Sequence, residues 1–255
     1  RTVRCVELYW EVNHDIFLDK GGLTNTTNYI TGLFNQHATL FDNDGISMLL
    51  SELFIWDVPS PYTGNGVLLG QFQEYRDSFN GDLAHLLGYS GPAGWAAGYA
   101  GLCAGELDSS MCYSVVHASY NTVPVYSWSV LVVTHEEGHL LGSRHTQACV
   151  WNGNNTAIDG CGPYEGSCSG APIPSNGGTI MSYCHQNEVG INFSNGFGPQ
   201  PAALIVDNVN AAACVNACGS SGCESPSNAW SNSLTNSATV TWSAVSGAAS
   251  YTLQW

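Results

Sequence analysis

Lysine occurs once, at Lys20, and arginine only at positions 1, 4, 76 and 144. Against 20 acidic side chains, these 5 cations leave a formal charge of −15. Clustered Lys and Arg are what neutralise phosphates, so a nucleic-acid binder is excluded, and an anionic membrane surface is disfavoured on the same ground. Long apolar runs are missing too: none approaches the ~20 residues of a spanning helix, so membrane insertion is not expected. The sequence also has no pair of Cys-x-x-Cys motifs to hold a tetrahedral metal. Its 10 cysteines, at 5, 103, 112, 149, 161, 168, 184, 214, 218 and 223, therefore favour disulfides and an oxidising compartment. The even count fits complete pairing, but sequence alone does not choose the connectivity. No secretory leader is seen. The opening Arg1-Thr2-Val3-Arg4 reads as a mature, secreted form whose targeting segment and any pro-segment have been removed.

What is present is enough for a packed core, since 44% of residues are hydrophobic and 11% aromatic. Residues 3–12 read as a buried strand, and residues 24–41 carry apolar positions at helical spacing. Asp42-Asn43-Asp44-Gly45 makes a turn into a second strand over 46–56; Leu53 stands where a calcium loop would need Glu. A helix over 67–79, a strand over 83–89, an extended Gly/Ala-rich stretch over 91–103 and a strand over 111–118 follow. This alternation implies an α/β (α+β) fold, a mixed sheet with helices packed on it. Residues 126–141 form the strongest helix, closed by Gly142, and 199–214 form another. Between them, 143–178 is rich in Gly, Ser, Asn, Pro and Cys and reads as irregular chain. Beyond Cys223 the composition turns uncharged after Glu224, with strands read at ATVTW and SYTLQW. Asn25, Asn154 and Asn192 head glycosylation triplets, which matter only in a eukaryotic secretory route.

The chemistry concentrates in His135-Glu136-Glu137-Gly138-His139-Leu140-Leu141-Gly142-Ser143-Arg144-His145. On a helix, His135 and His139 share one face, so both imidazoles can meet one metal. Glu136 beside them is placed to take a proton from a water at that metal. Gly142 can adopt the left-handed conformation that turns the chain back, delivering His145 as third ligand. Three protein ligands leave a fourth position open, the arrangement of catalytic zinc. Chance would supply five fixed residues at these offsets about once in 10^4 chains of this size. The other histidines, His14, His37, His85, His117 and His185, lack ligand spacing and read as packing or surface residues.

This segment is the H-E-x-x-H-x-x-G-x-x-H signature, and Thr179-Ile180-Met181-Ser182-Tyr183-Cys184 follows as a Met-containing turn. Over most of residues 1–219 the chain thus resembles the metzincin zinc metalloproteases. The resemblance implies a cleft above the Met turn, with Met181 as an apolar floor under the metal. Within that clan CVELYWEVNH, GDLAHLLGYSG, GYAGLC and FGPQP are most similar to the adamalysin (reprolysin) family. That similarity implies a structural calcium at Glu7, Asp82, Cys214 and Asn216, a bridge between Cys103 and Cys214, and a substrate-binding edge strand in Gly94–Gly101 that includes Trp95, Ala96, Ala97, Gly98 and Tyr99. Two features depart from it. Thr146 stands where adamalysins carry Asp after the third histidine, and Met181-Ser182-Tyr183 is similar to serralysins and astacins, implying that Tyr183 ligates zinc at rest and supports the oxyanion. Residues 220–255 resemble a linker and the first third of a fibronectin type III module, too short to close a sandwich.

The resulting expectation is a secreted, monomeric zinc endopeptidase acting on protein or peptide substrates. Another reading keeps the fold but not the activity: a catalytically silent extracellular binding module, which protease assays with and without a chelator would separate. A serine hydrolase fails on its motif, because Gly88-Tyr89-Ser90-Gly91-Pro92 breaks G-x-S-x-G at its last position.

Overall fold

The computed structural model describes residues 3–64 and 66–218, together with the backbone of two strands at 230–234 and 237–241. Strand β1 (Cys5–Val12) is buried along almost its whole length, as expected of a strand covered on both faces. It lies between two parallel neighbours, β2 (Ser47–Ile55) and β3 (Leu83–Gly88). Beyond β3 come β5 (Met111–Val115), also parallel, and at the edge β4 (Gly94–Ala96), antiparallel to β5. The sheet order is therefore β2-β1-β3-β5-β4, a mixed sheet as expected. The β1–β2 register slips between Leu8 and Tyr9, and the hydroxyl of the unpaired Ser51 closes the bulge on Leu8 O at 2.8 Å.

Helix α1 (His14–Lys20), which hydrophobic spacing does not reveal, is capped by Asn13 and stopped by Gly21 at φ 75°. Helix α2 (Leu23–Asn43) buries Ile30, Leu33, Phe34, Leu40 and Phe41 on one stripe. Helix α3 (Leu69–Tyr75) is shorter than its sequence pattern suggests. Helix α4 (Trp128–Leu140) is buried from Ser129 to Leu140, so it runs through the interior rather than over the surface. Helix α5 (Pro199–Ala211) buries Pro201, Ile205 and Val209 and ends short of Cys214. The main core unites β1 with residues of α2, α4 and α5, and a smaller one gathers Tyr9, Tyr62, Phe72 and Tyr113. Beside the smaller core, fully buried Glu11 accepts from Tyr9, Trp56, Tyr62 and Arg76.

Four disulfides brace the described residues: Cys5–Cys218, Cys103–Cys214, Cys149–Cys168 and Cys161–Cys184. The second is the bridge implied by the family resemblance. Complete pairing does not hold, because Cys112 is a free thiol buried on β5. Cys223 lies outside the described residues, as does the SYTLQW segment; of residues 220–255 the structure describes an antiparallel pair, β6 (Trp230–Leu234) and β7 (Ser237–Thr241). No helix among the described residues is long and apolar enough to cross a membrane.

Candidate metal centre

The last turns of α4 carry His135, Glu136 and His139, each nearly buried. The helix closes with Leu141 N–H on Glu137 O and Ser143 N–H on Gly138 O, across Gly142 at φ 110°. A Cβ on Gly142 would sit 2.0 Å from Nδ2 of Asn208, the amide that caps Leu141 O at 2.9 Å. The turn therefore needs glycine twice over, for its backbone and for its space. It places His145 so that its Nε2 lies 3.0 Å from that of His139 and 3.1 Å from that of His135.

Each of the three rings faces an acceptor with its other nitrogen. His135 Nδ1 donates to Ile180 O and His139 Nδ1 to Ser143 O, both at 2.7 Å, while His145 Nδ1 pairs with the carboxylate of Glu165. With the protons fixed on Nδ1, three Nε2 lone pairs point at one another without a hydrogen between them. Lone pairs converge in this way around a cation, and tetrahedral zinc with bonds near 2.0–2.1 Å would hold its nitrogens about 3.3 Å apart. The donor set fits. Burial and the neighbouring imidazoles hold His135 well below the usual histidine range and His139 down to about 3, so both offer neutral nitrogen. A second cluster, Asp159, Cys161 and Cys184, is no rival, because its two thiols are joined to each other.

Glu136 lines a cleft of about 450 Å³ with Pro92 to Tyr99, His139, His145 and Tyr183. Burial pushes its carboxyl up to about 8, a value from which it can both take and return a proton near neutrality. Tyr183 packs at a tilt against His145, with 4.5 Å between ring centroids and planes inclined at 60°, and its phenol is pushed up to about 12 by burial, with the Glu136 charge adding. Met181 is fully buried, its Sδ against Gly138 of α4, where a Cβ would come within 2.8 Å. The same turn serves the site through its backbone. Ile180 O orients His135, and Met181 O receives Thr146 N–H at 3.1 Å, next to His145.

The edge stretch is shorter than its sequence suggests: only Gly94–Ala96 is strand, with Ala97 N–H on Met111 O at 3.0 Å as the last rung. Trp95 and Tyr99 are exposed on the cleft, and Gly98 and Tyr99 lie beyond the pairing. Glu7 and Asp82 adjoin, Asp82 Oδ2 accepting from Glu7 N–H at 2.9 Å; Asn216 O is engaged by Cys5 N–H and Cys214 by its bridge.

Sequence reasoning missed several groups. Glu165 bears on a candidate ligand from another loop. His37 and His85 are fully buried against Glu137, at 2.5 and 2.8 Å, with Trp10 Nε1 as a third donor at 2.8 Å. His85 Nε2 meets Ser114 Oγ at 2.8 Å, so a neutral His85 is donor on one side and acceptor on the other. The signal available was Glu137 itself, a carboxylate in a helix otherwise set for burial. The family model described as Metallo-peptidase family M12 matches residues 4–194 of this chain. No curated protein matches it.

Proposed function

The chain belongs to metallo-peptidase family M12, and from that premise we propose that it is a secreted, adamalysin-like zinc endopeptidase that hydrolyses internal peptide bonds of proteins. The observation that carries the reading is the convergence of three Nε2 lone pairs beside a buried glutamate on the floor of an open cleft. When bound by His135, His139 and His145, zinc supplies a Lewis acid that polarises a carbonyl and acidifies a water. Glu136 takes the proton of the attacking water and passes it to the leaving amine, as a carboxylate in this position can. The Tyr183 hydroxyl supports the oxyanion. An extended substrate adds antiparallel to β4, where Gly94 and Ala96 let its backbone come close. Met181 is the apolar floor, and Gly142 sets the turn to the third ligand.

Four disulfides among the described residues support an oxidising, extracellular setting. A structural calcium at Glu7, Asp82 and the Cys214–Asn216 segment belongs to the same reading. Burial raises the Asp82 carboxyl and the Glu7 charge adds to it, a strain that a cation would relieve.

Purified protein should hold one zinc per chain and cleave casein, and 1,10-phenanthroline should abolish the cleavage. Glu136→Ala should retain the zinc and lose about 10^2–10^4-fold in kcat. In the same assay Tyr183→Phe should lower kcat far more than zinc content. A zinc-loaded wild type that cleaves nothing, or a Glu136→Ala protein as fast as wild type, would sink the reading.

A further inference from the structure

His135 and His139 are oriented by backbone carbonyls that belong to buried structure, the Met181 turn and the end of α4. His145 is different. Its Nδ1 meets a side-chain carboxylate, Oε1 of Glu165, a residue 37% exposed and on neither of those elements. Glu165 sits inside the loop closed by Cys149–Cys168. Two backbone bonds fix it there: Cys149 N–H to Glu165 O at 2.9 Å and Glu165 N–H to Gln147 O at 3.2 Å. Glu165 is thereby bridged to Ala148, and Gln147 Nε2 lies 3.5 Å from the same Oε1. The strand-like contact and the disulfide share Cys149, so the bridge closes the loop immediately beside the residue that presents the carboxylate.

We propose that Glu165 is a positioning residue for metal binding through His145, and that the Cys149–Cys168 loop is the device that presents it. The proposal rests on the zinc-peptidase reading of the three histidines. A carboxylate on Nδ1 locks the tautomer that leaves Nε2 free, restricts ring rotation and raises the basicity of the ligand nitrogen. A carbonyl does the first two, but brings no charge. Glu165 is thus the one partner of the three rings that adds negative charge to a site built from neutral imidazoles. The most exposed of the three ligands, with a side chain 13% accessible, is the one so held. Elsewhere burial keeps the rings in place; here a latched loop does it.

Zinc dissociation constants, measured by competition with a fluorescent chelator, test this without reference to proteolysis. Glu165→Ala should weaken zinc binding about 10–100-fold. Glu165→Gln, which keeps an acceptor and loses the charge, should fall between that and wild type, and Glu165→Asp should recover part of the loss. Glu106→Gln, at an exposed carboxylate outside the site, should bind as wild type. The apo proteins should unfold at the same temperature. Cys149→Ser/Cys168→Ser should weaken binding to a similar degree, and adding Glu165→Ala to it should cost little more, since both changes act through one contact. Wild-type affinity in Glu165→Ala, or fully additive losses, would overturn the proposal; should the double-serine protein not fold, the three Glu165 variants decide alone. A wild type that binds zinc no better than His135→Ala would instead overturn the metal site itself, and this proposal with it.

Discussion

A methyl group added to Gly94 would land 2.4 Å from Oε1 of Glu136 and 2.5 Å from its Cγ. Both atoms belong to the side chain to which the proposed mechanism assigns the proton transfer, and the glycine faces them from the edge strand across the cleft. The backbone at Gly94 does not need glycine, because its φ lies outside the left-handed region. The constraint is one of space alone. Gly94→Ala should therefore fold and keep its zinc while pushing Glu136 off its position. A displacement near 1 Å in such a group costs about 100-fold in rate, so kcat should fall about 10–100-fold, with zinc content and unfolding temperature close to wild type. Steady-state kinetics beside metal analysis would check this; an unchanged kcat would show that Glu136 tolerates the shift. By the same contact, any side chain at the first position of β4 would crowd Glu136, at the place where an extended peptide is proposed to pair.

At the scale of elements, the segment after α4 shows what the sequence could and could not reveal. The spacing of His135 and His139, and the glycine that turns the chain toward His145, act within a dozen residues, so their geometry follows from helix periodicity and a left-handed break. The strands of the sheet were legible for a similar reason, being short apolar runs between turn residues. Helix α1 escaped although its signals, Asn13 before and Gly21 after, are in the sequence, because seven residues give too little periodicity to see. Glu165, His37 and His85 escaped because their contacts span 20, 100 and 52 residues, distances over which local pattern carries no information. What locality made visible can also be tested locally. Gly142→Ala would require a non-glycine residue at φ 110° and a Cβ 2.0 Å from Asn208 Nδ2, which must then release Leu141 O. Strain of this kind costs about 1–3 kcal/mol, and it falls on the turn that delivers His145. Denaturant unfolding should show that loss, and zinc affinity should drop more than in an exposed-loop glycine variant such as Gly105→Ala. Wild-type affinity would mean that the helix end is not what sets the third imidazole.

Across the whole molecule, charge and burial make opposite demands as the pH falls. The chain carries −15, so partial neutralisation of its carboxylates relieves self-repulsion and by itself favours the folded state. Asp44 and Asp82, raised by burial, add to that tendency, because the folded chain holds their protons more readily than the unfolded one. The buried centre beneath α4 opposes it. Burial keeps His85 below its ordinary value of 6.5, so between about pH 6.5 and its lower folded value the unfolded chain gains a proton that the folded chain refuses, and stability is lost as pH falls. Glu137, buried but charged, is held down to about 2 by His37 and His85. Its contribution is complete above the ordinary carboxylate value of about 4.5 and is lost as pH falls toward 2. Two windows of acid sensitivity follow: in the upper one a histidine titrates, in the lower one a carboxylate held by histidines. Glu136, raised to about 8, takes up its proton over the same interval and opposes this loss, so the test uses a Glu136→Gln background. Measured in urea at saturating zinc, so that the ligand histidines do not titrate, the unfolding free energy there should fall between pH 7 and 5.5. In His85→Gln that slope should flatten, whatever the variant's stability at pH 7. A free energy that rises across the same interval in that background would show that relief of the overall negative charge outweighs the buried histidine.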